Sequence, residues 1–233
     1  MDNLTQFRHE FKYLCSMSEI CILQNRVAGL MPLDPHVKGG QYTIRSLYFD
    51  NYANRCYYEN ETGTDPREKF RIRIYNANAN RIRLECKRKQ AGKTLKTSCP
   101  LTFEQYNRIV DGCNLEIHPD DPNVLKKFIA LCHTQLYSPS VIVEYDRIPY
   151  IYQLGNVRVT FDTNIRSSNQ FDEFLSPQIT TRPILSTGQH LVEVKYDELL
   201  PNFIYDSMQI SSLQQVAFSK YYLCKKFSFG GIL

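Results

Sequence analysis

Strict alternation of basic and apolar residues is the feature that most limits how this chain can fold. It is clearest in residues 67–89, REKFRIRIYNANANRIRLECKRK, where arginine and lysine alternate with isoleucine, leucine and phenylalanine on both sides of a turn-forming stretch, 76–80. Successive side chains of a β-strand point to opposite faces, so a period of two indicates strands. The pattern predicts two neighbouring strands, 69–75 and 81–89, each with one basic face.

The same alternation recurs along the chain and predicts further strands. These are 7–14, 46–50, 141–151, 157–163 and 190–196. The polar faces of the predicted strands are mostly basic, with Arg8, Lys12, Arg71, Arg73, Arg81, Arg83, Lys87, Lys89, Arg158 and Lys195. The carboxylates of the same parity are Glu10, Glu85, Asp162 and Glu193. The polar faces are therefore biased towards positive charge.

Helices are predicted between the strands from capping residues and apolar stripes. They run from a cap at Ser18 to about Leu30, over 103–111 behind the Thr102–Gln105 capping box, over 122–135 starting at Pro122, and from Ser211 or Ser212 to about 225. Strands and helices together indicate a mixed fold.

Composition favours one globular domain, residues 1–233, because 42% of the residues are hydrophobic and no linker-like or low-complexity stretch divides the chain. The net charge of +4 is modest, so the basic residues matter through their clustering. The N-terminus lacks a secretory signal and no stretch reaches about 18 apolar residues, so we expect a soluble cytoplasmic domain. Eight cysteines without C-x-x-C spacing are expected to be reduced core residues, without a zinc site.

Two geometries can accommodate the basic faces. They can be the solvated outside of a sheet, with the carboxylates in surface salt bridges, or the polar inside of a closed barrel whose apolar outer face is covered by helices. In a barrel, like charges about 4 Å apart repel by about 4 kcal/mol at an effective dielectric near 20. A polyanion would reverse the sign of that energy. The few carboxylates could then hold a divalent metal or pair with the cations.

No familiar catalytic motif accompanies these faces. The sequence has no G-x-x-x-x-G-K-[ST] or G-x-G-x-x-G loop and no Ser/His/Asp or Cys/His arrangement, and its histidines are scattered. Phosphate is therefore expected to be bound by side chains rather than by a glycine-rich loop. The aromatic residues fall mostly on apolar faces, so nucleic acid is not the predicted partner.

Eight segments occur in an order that resembles the VTC domain, the polyphosphate polymerase domain of the vacuolar transporter chaperone complex and its bacterial relatives. They are FRHEFKY, SLYFDN, FRIRIY, LECKRK with the following Lys93–Lys96 segment, VEYDR, VRVTFDT, LVEVKY and FSKYYL. The resemblance covers about residues 6–224. It implies the fold of the triphosphate tunnel metalloenzymes, relatives of the CYTH proteins: an α+β fold with an antiparallel eight-stranded β-barrel tunnel, a basic polar lumen and flanking helices.

The resemblance also implies roles for individual residues. Catalytic roles are implied for Arg71, Arg73, Lys87, Arg158 and Lys220. Phosphate binding is implied for Lys12, Lys96, Arg147 and Ser219, to which Tyr145 and Lys195 are added from the strands that carry the basic faces. Glu193 in LVEVKY matches the metal-binding glutamate of the family, Glu10 and Glu85 are further candidates, and the expected metal is Mn²⁺ or Mg²⁺.

Two positions depart from the related patterns. The E-x-E-x-K opening of CYTH proteins is Arg8-His9-Glu10-Phe11-Lys12 here, which favours the VTC branch and a smaller set of metal ligands. The eukaryotic polymerases carry a lysine two residues before the serine of FSK, whereas this chain has Ala217.

Three functions follow as hypotheses. The leading one is a polymerase that transfers the γ-phosphate of ATP onto a growing polyphosphate chain. A membrane protein that exports the product is a possible partner of such a polymerase. The second is a metal-dependent tripolyphosphatase or nucleoside triphosphatase, in which water replaces the acceptor. The third is a non-catalytic module that binds polyphosphate or nucleotide. The sequence makes no prediction of oligomeric state.

Overall fold

The structure is a computed structural model that describes residues 6–37, 39–210 and 212–229. Its strands in chain order are β1 His9–Ser16, β2 Tyr42–Asp50, β3 Arg67–Tyr75, β4 Ile82–Gln90, β5 Lys93–Leu101, β6 Ser138–Tyr152, β7 Val157–Ser168, β8 Arg182–Pro183 and β9 Gln189–Tyr196. Its helices are α1 Met17–Ala28, α2 Arg55–Glu61, α3 Phe103–Val110, α4 Asn123–Gln135, α5 Asn202–Ser207 and α6 Lys220–Ser228.

Eight strands form one curled antiparallel sheet in the order β1-β9-β7-β6-β2-β3-β4-β5, and β8 pairs with β7 outside this path. The two edge strands meet where Arg8 and Thr94 exchange two backbone hydrogen bonds of 2.9 Å. The predicted α+β fold, with an eight-stranded antiparallel sheet curled around a polar interior and flanked by helices, is confirmed.

The apolar sides of the strands face outward and are covered by helices. Ile72 and Ile74 of β3 are fully buried in one cluster with Phe128 of α4, and Val192 of β9 is buried with Leu23 of α1. Burying each such side chain contributes about 1.5–3 kcal/mol, which fixes the register of the strands. The residues of opposite parity therefore point to the inside of the curled sheet.

Two predicted helix starts were wrong. Ser16, not Ser18, caps α1, because Ser16 is still extended and its hydroxyl accepts a hydrogen bond from the Glu19 N–H, while the Glu19 carboxylate accepts one from the Ser16 N–H at 2.7 Å. The last helix begins at Lys220 with Ser219 as its cap.

Ser211 lies outside the described residues, and Ser212 precedes an extended segment rather than a helix. That segment is held extended by β1: the N–H of Val216 donates to the carbonyl oxygen of Lys12 at 2.9 Å, and Gln215 bridges Tyr13. Pairing with a strand thus delays the helix until Ser219. The capping box at Thr102 is confirmed, and so is the helix that follows Pro122.

All eight cysteines are free thiols and all but Cys21 are buried, as expected for core residues. Within residues 6–37, 39–210 and 212–229, no helix combines the length and the apolar character needed to cross a membrane.

Candidate functional site

The inner faces of the strands enclose a cavity of about 440 Å³. Ten of the described basic side chains line it: Lys12, Arg67, Lys69, Arg71, Arg73, Lys87, Lys89, Arg147, Lys195 and Lys220. Glu10 and Glu193 are the carboxylates on its wall. The cavity opens at a mouth formed by the exposed residues Lys89, Gly92, Gln215 and Ala217, and it ends at the buried residues Arg73, Tyr145 and Arg147.

The deep wall on β3 and β4 is organised around Glu85, whose side chain is 1% exposed. Arg71 donates from Nε to Glu85 Oε2 at 2.8 Å, and Lys96 donates to Oε1 at 3.2 Å. Burial opposes ionisation of Glu85, but Arg73, Arg71 and Lys96 outweigh it and hold its pKa well below the ordinary value. Glu85 therefore stays charged and stabilises the arginines in front of it.

Hydroxyl groups hold the same two arginines from the opposite side. Arg71 donates to the Tyr48 hydroxyl at 2.7 Å, and Arg73 donates to Ser46 Oγ at 3.1 Å and to the Tyr145 hydroxyl at 3.3 Å. Since Ser46 and Tyr48 lie opposite Arg73 and Arg71 in the β2–β3 register, the strand pairing itself positions these contacts. The guanidinium groups are thus oriented before any ligand arrives.

A second network joins β6, β7, β9 and α6. The fully buried Asp162 accepts two hydrogen bonds from Arg147, each 2.6 Å, and its Oδ2 lies 2.7 Å from Lys220 Nζ. Glu193 contacts the same two cations, at 3.1 Å and 2.8 Å. Burial lowers the pKa of Lys220, but Asp162 and Glu193 outweigh it and raise that pKa above its ordinary value. Lys220 is therefore a permanent cation on the cavity wall.

Glu193 and Glu10 share two lysines. Lys195 Nζ lies 2.9 Å from Glu193 and 3.7 Å from Glu10, and Lys12 Nζ lies 4.0 Å and 3.5 Å from them. Burial raises the pKa of both carboxyl groups, but the surrounding cations outweigh it and hold both values well below the ordinary range. Both groups are ionised and adjacent.

This carboxylate pair fits a divalent metal of the expected kind. Mg²⁺ is commonly held by one or two carboxylates together with phosphate oxygens and water, rather than by a cage made of protein groups alone. No cluster of three or more His, Cys, Asp or Glu side chains suited to a metal occurs in the described part of the chain. Glu85 shares no ion-pair partner with Glu10 or Glu193 among the described side chains.

Lys69 and Lys87 face each other across the β3–β4 register. Lys87 pairs with Glu10 at 2.6 Å, whereas no carboxylate among the described residues lies within ion-pair distance of Lys69, which donates to Asn60 and, at 3.2 Å, to Ser219 Oγ. Burial, followed by repulsion from Lys87, lowers the pKa of Lys69 to about 7. Burial also lowers the pKa of Lys87, to about 8, although Glu10 opposes the change. Basic groups therefore outnumber carboxylates on the wall, and these two lysines titrate near neutral pH.

Comparison with protein families gives one decisive match. The profile of the VTC domain covers residues 7–229. The chain belongs to the VTC domain family. The predicted resemblance is thereby confirmed over nearly the whole sequence.

Solved structures that share the fold of this VTC domain include the two that follow. A proposed adenylate cyclase from Bacillus halodurans superposes with a TM-score of 0.54 at 14% identity, covering 92% of this chain and 95% of that one. A proposed adenylyl cyclase from Hippeastrum superposes with a TM-score of 0.55 at 13% identity, covering 98% and 97%. No curated protein matches the chain in sequence.

The structure brings most of the predicted site residues of the VTC domain to one cavity. The lining includes Glu10, Lys12, Arg71, Arg73, Lys87, Tyr145, Arg147, Glu193, Lys195, Ser219 and Lys220. Three predicted residues lie off the wall. Glu85 lies behind the arginines, Lys96 pairs with Glu85 and has a half-exposed side chain, and Arg158 pairs with Asp34 at 2.8 Å. Their roles in binding or catalysis stay predictions.

Three further cations expected on the basic faces are directed elsewhere. Arg8 pairs with Asp197 at 2.8 Å, Arg83 donates to Ser98 Oγ at 3.0 Å, and Arg81 is exposed one residue before β4 begins. Each lies at or just before the start of its strand and outside the set of residues that line the cavity.

Sequence reasoning missed Lys69 and Arg67 as wall residues and Asp162 as the centre of a network. The signal for the first two was present, since both share the parity of Arg71 on β3. Asp162 also has the inward parity of its strand, but its two cationic partners come from β6 and α6, and no local pattern reports that.

Proposed function

We propose that this VTC domain is a polyphosphate polymerase that transfers the γ-phosphate of ATP onto a growing polyphosphate chain inside the basic cavity. The observation that carries the proposal is the lining of ten basic side chains against two carboxylates, in a volume of about 440 Å³. That volume is typical of small-molecule sites. A polyanion is the ligand that turns the mutual repulsion of these cations into attraction.

Catalysis in this scheme consists of alignment and charge stabilisation. Arg71 and Arg73 hold the non-bridging oxygens of the transferred phosphoryl group, each guanidinium being already fixed by a hydroxyl and by Glu85. A terminal oxygen of the acceptor chain attacks the γ-phosphorus, the bond from that phosphorus to the β–γ bridging oxygen breaks, and ADP leaves. Lys220, kept cationic by Asp162, stabilises negative charge in the cavity.

Glu193 and Glu10 would hold the divalent metal. When bound, Mn²⁺ or Mg²⁺ would neutralise charge on the phosphate oxygens. Lys12 and Lys195 contact both carboxylates and compensate the carboxylate charge in the absence of a metal. A metal bound to the two carboxylates would release these lysines to bind phosphate.

Triphosphate hydrolysis is the second candidate, and one residue favours it. Ala217 lies at the exposed mouth of the cavity, where the polymerases that the sequence resembles carry a lysine. Loss of that cation weakens the hold on an acceptor chain and leaves water as the competing nucleophile. The Hippeastrum protein with the same fold is described as having a dominant triphosphatase activity.

The test is a product assay with ATP and Mn²⁺ that separates long polyphosphate from orthophosphate. The polymerase proposal expects long chains and ADP, and the hydrolase proposal expects orthophosphate. Arg73→Ala and Lys220→Ala should each lower turnover by about 10²–10³-fold, the scale of removing one charge-stabilising group. Lys127→Ala is the matched control, because Lys127 pairs with Glu68 outside the cavity.

Two results would count against the assignment. Unchanged product yield in both cavity variants would remove the proposed site from catalysis. Tight binding of triphosphate without turnover under any divalent metal would leave the third hypothesis, a binding module without activity.

A further inference from the structure

Arg158 lies just beyond the buried end of the cavity. On β7 it has the inward parity of Asp162, and it lies opposite Lys195, a wall residue, in the β7–β9 register. Its guanidinium does not reach the cavity. Instead, Arg158 Nη2 lies 2.8 Å from Asp34 Oδ2 and donates to the Tyr42 hydroxyl at 3.1 Å.

Asp34 is presented by a short segment that continues the wall of the barrel. β2 begins at Tyr42, which pairs with Arg147 of β6. Residues 148–152, at the C-terminal end of β6, therefore have no β2 residue beside them. Residues 32–34 take that place: the Ile151 N–H donates to the Pro32 carbonyl oxygen and the Asp34 N–H donates to the Pro149 carbonyl oxygen, both at 3.0 Å. The Asp34 carboxylate is therefore held by backbone pairing, and its side chain is only 8% exposed.

The Arg158 side chain keeps unused binding capacity. Its Nε is buried and has no hydrogen-bond partner among the described residues, although its Nη2 is doubly engaged. A guanidinium binds phosphate or carboxylate best through two parallel N–H donors. Asp34 and Tyr42 engage Nη2 and leave the neighbouring Nε without a partner among the described residues, so an anion that replaces Asp34 can gain a second, parallel donor.

The same side chain is partly open to solvent. Arg158 is 32% exposed, while the residues at the buried end of the cavity, Arg73, Tyr145 and Arg147, are each less than 9% exposed. Tyr42, which contacts Arg158, packs edge-on against Tyr75 with ring centroids 5.7 Å apart. Arg158 is thus more open to solvent than the residues at the buried end of the cavity.

We propose that Asp34 competes with phosphate for Arg158 and so limits the length of phosphate chain that the tunnel holds. The inference rests on the proposed function, because it takes an inorganic phosphate chain as the ligand. A tripolyphosphate fills the cavity as far as Arg73 and Arg147 without touching this pair. A longer chain gains Arg158 only by displacing Asp34, so the carboxylate acts as a specificity determinant for chain length.

The experiment compares the affinities of two probes, tripolyphosphate and long-chain inorganic polyphosphate, for the whole chain and for Asp34→Asn. Asparagine keeps the shape of the side chain and its Oδ1 acceptor for the His36 N–H, but removes the negative charge on Arg158. Affinity for the long chain should rise about tenfold, the scale of one charge-assisted hydrogen bond, with tripolyphosphate affinity unchanged. In Asp34→Asn/Arg158→Gln the gain should vanish.

Glu68→Gln is the matched control, since it removes a carboxylate that pairs with Lys127 away from the cavity, and its affinity ratio should equal that of the unaltered chain. A folded Asp34→Asn variant with an unchanged ratio overturns the inference, and so does an equal rise for both probes. If Asp34→Asn does not fold, Arg158→Gln alone must lower the ratio of long-chain to tripolyphosphate affinity, and an unchanged ratio overturns the inference in that case. If the unaltered chain binds neither probe, the proposed function itself fails, and that outcome is distinct from the others.

Discussion

Binding of triphosphate should take up a proton through Lys69. This lysine lies on a basic wall without a carboxylate at ion-pair distance among the described residues, and burial lowers its pKa to about 7. At pH 8 such an amine is about 90% neutral. A bound polyanion favours the charged form, so the complex should bind about 0.9 more proton at this site than the free protein does.

The pH dependence follows from the direction of that shift. Between pH 7 and pH 9 the protonated fraction of a group with a pKa of 7 falls from about one half to about one hundredth, so affinity that needs the ammonium form should weaken about 50-fold, or about 2.3 kcal/mol. Affinity is therefore greatest below pH 7. The unfolded chain keeps this proton up to its ordinary pKa of 10.5, so the same group makes the free protein more stable as the pH rises from 7 towards 10.5.

The assay is titration calorimetry with tripolyphosphate at pH 8 in two buffers of different ionisation enthalpy, applied to the unaltered chain and to Lys69→Gln. The ligand's own titration is common to both proteins, so the difference in proton uptake isolates Lys69. A difference of about 0.9 proton is expected for a group with this pKa. Equal uptake by the two proteins would refute the reasoning.

Three further predictions concern the surrounding network. Asp162→Asn should lower the free energy of unfolding by about 3 kcal/mol, since it leaves Arg147 as a poorly compensated buried charge, and urea denaturation measures this. Asp50→Asn weakens the acceptor of the Tyr221 hydroxyl and of three backbone N–H groups, at a cost of about 1–3 kcal/mol, which thermal denaturation checks while tripolyphosphate binding is retained. Chelation of divalent metal should stop turnover of ATP yet leave the melting temperature of the free protein unchanged, because Glu193 keeps its lysine partners.

Much of the sheet could be predicted because side-chain parity is a local property of a strand. The alternation in β3 and β4 was sufficient to assign Arg71, Arg73 and Lys87 to one face. β5, KTLKTSCPL, was not predicted as a strand, since polar residues occupy both of its parities. The short helix α2 was also missed. Its N-cap residue, Asn54, makes no side-chain capping hydrogen bond, so the sequence carries no capping signal there.

Strand parity predicted which side chains point inward, but it did not predict which of them contact one another. Lys220 and Arg147 converge on Asp162 from a helix and a strand that are distant in sequence, so the network depends on tertiary packing. The position of Arg158 shows the same limit. Its parity is inward as expected, but its partner Asp34 comes from a connecting segment without regular alternation, and nothing local indicates that contact.

The junction between β1 and β5 has a mechanical consequence. Eight register pairs join β1 to β9 and nine join β4 to β5, whereas among the described residues a single pair, Arg8 with Thr94, closes the circumference. Glu10 reinforces this seam by accepting hydrogen bonds from Lys87 at 2.6 Å and from Thr94 at 3.3 Å. An anion that binds Lys87 breaks its ion pair with Glu10. Ligand binding and closure of the barrel at the β1–β5 junction therefore depend on the same ammonium group.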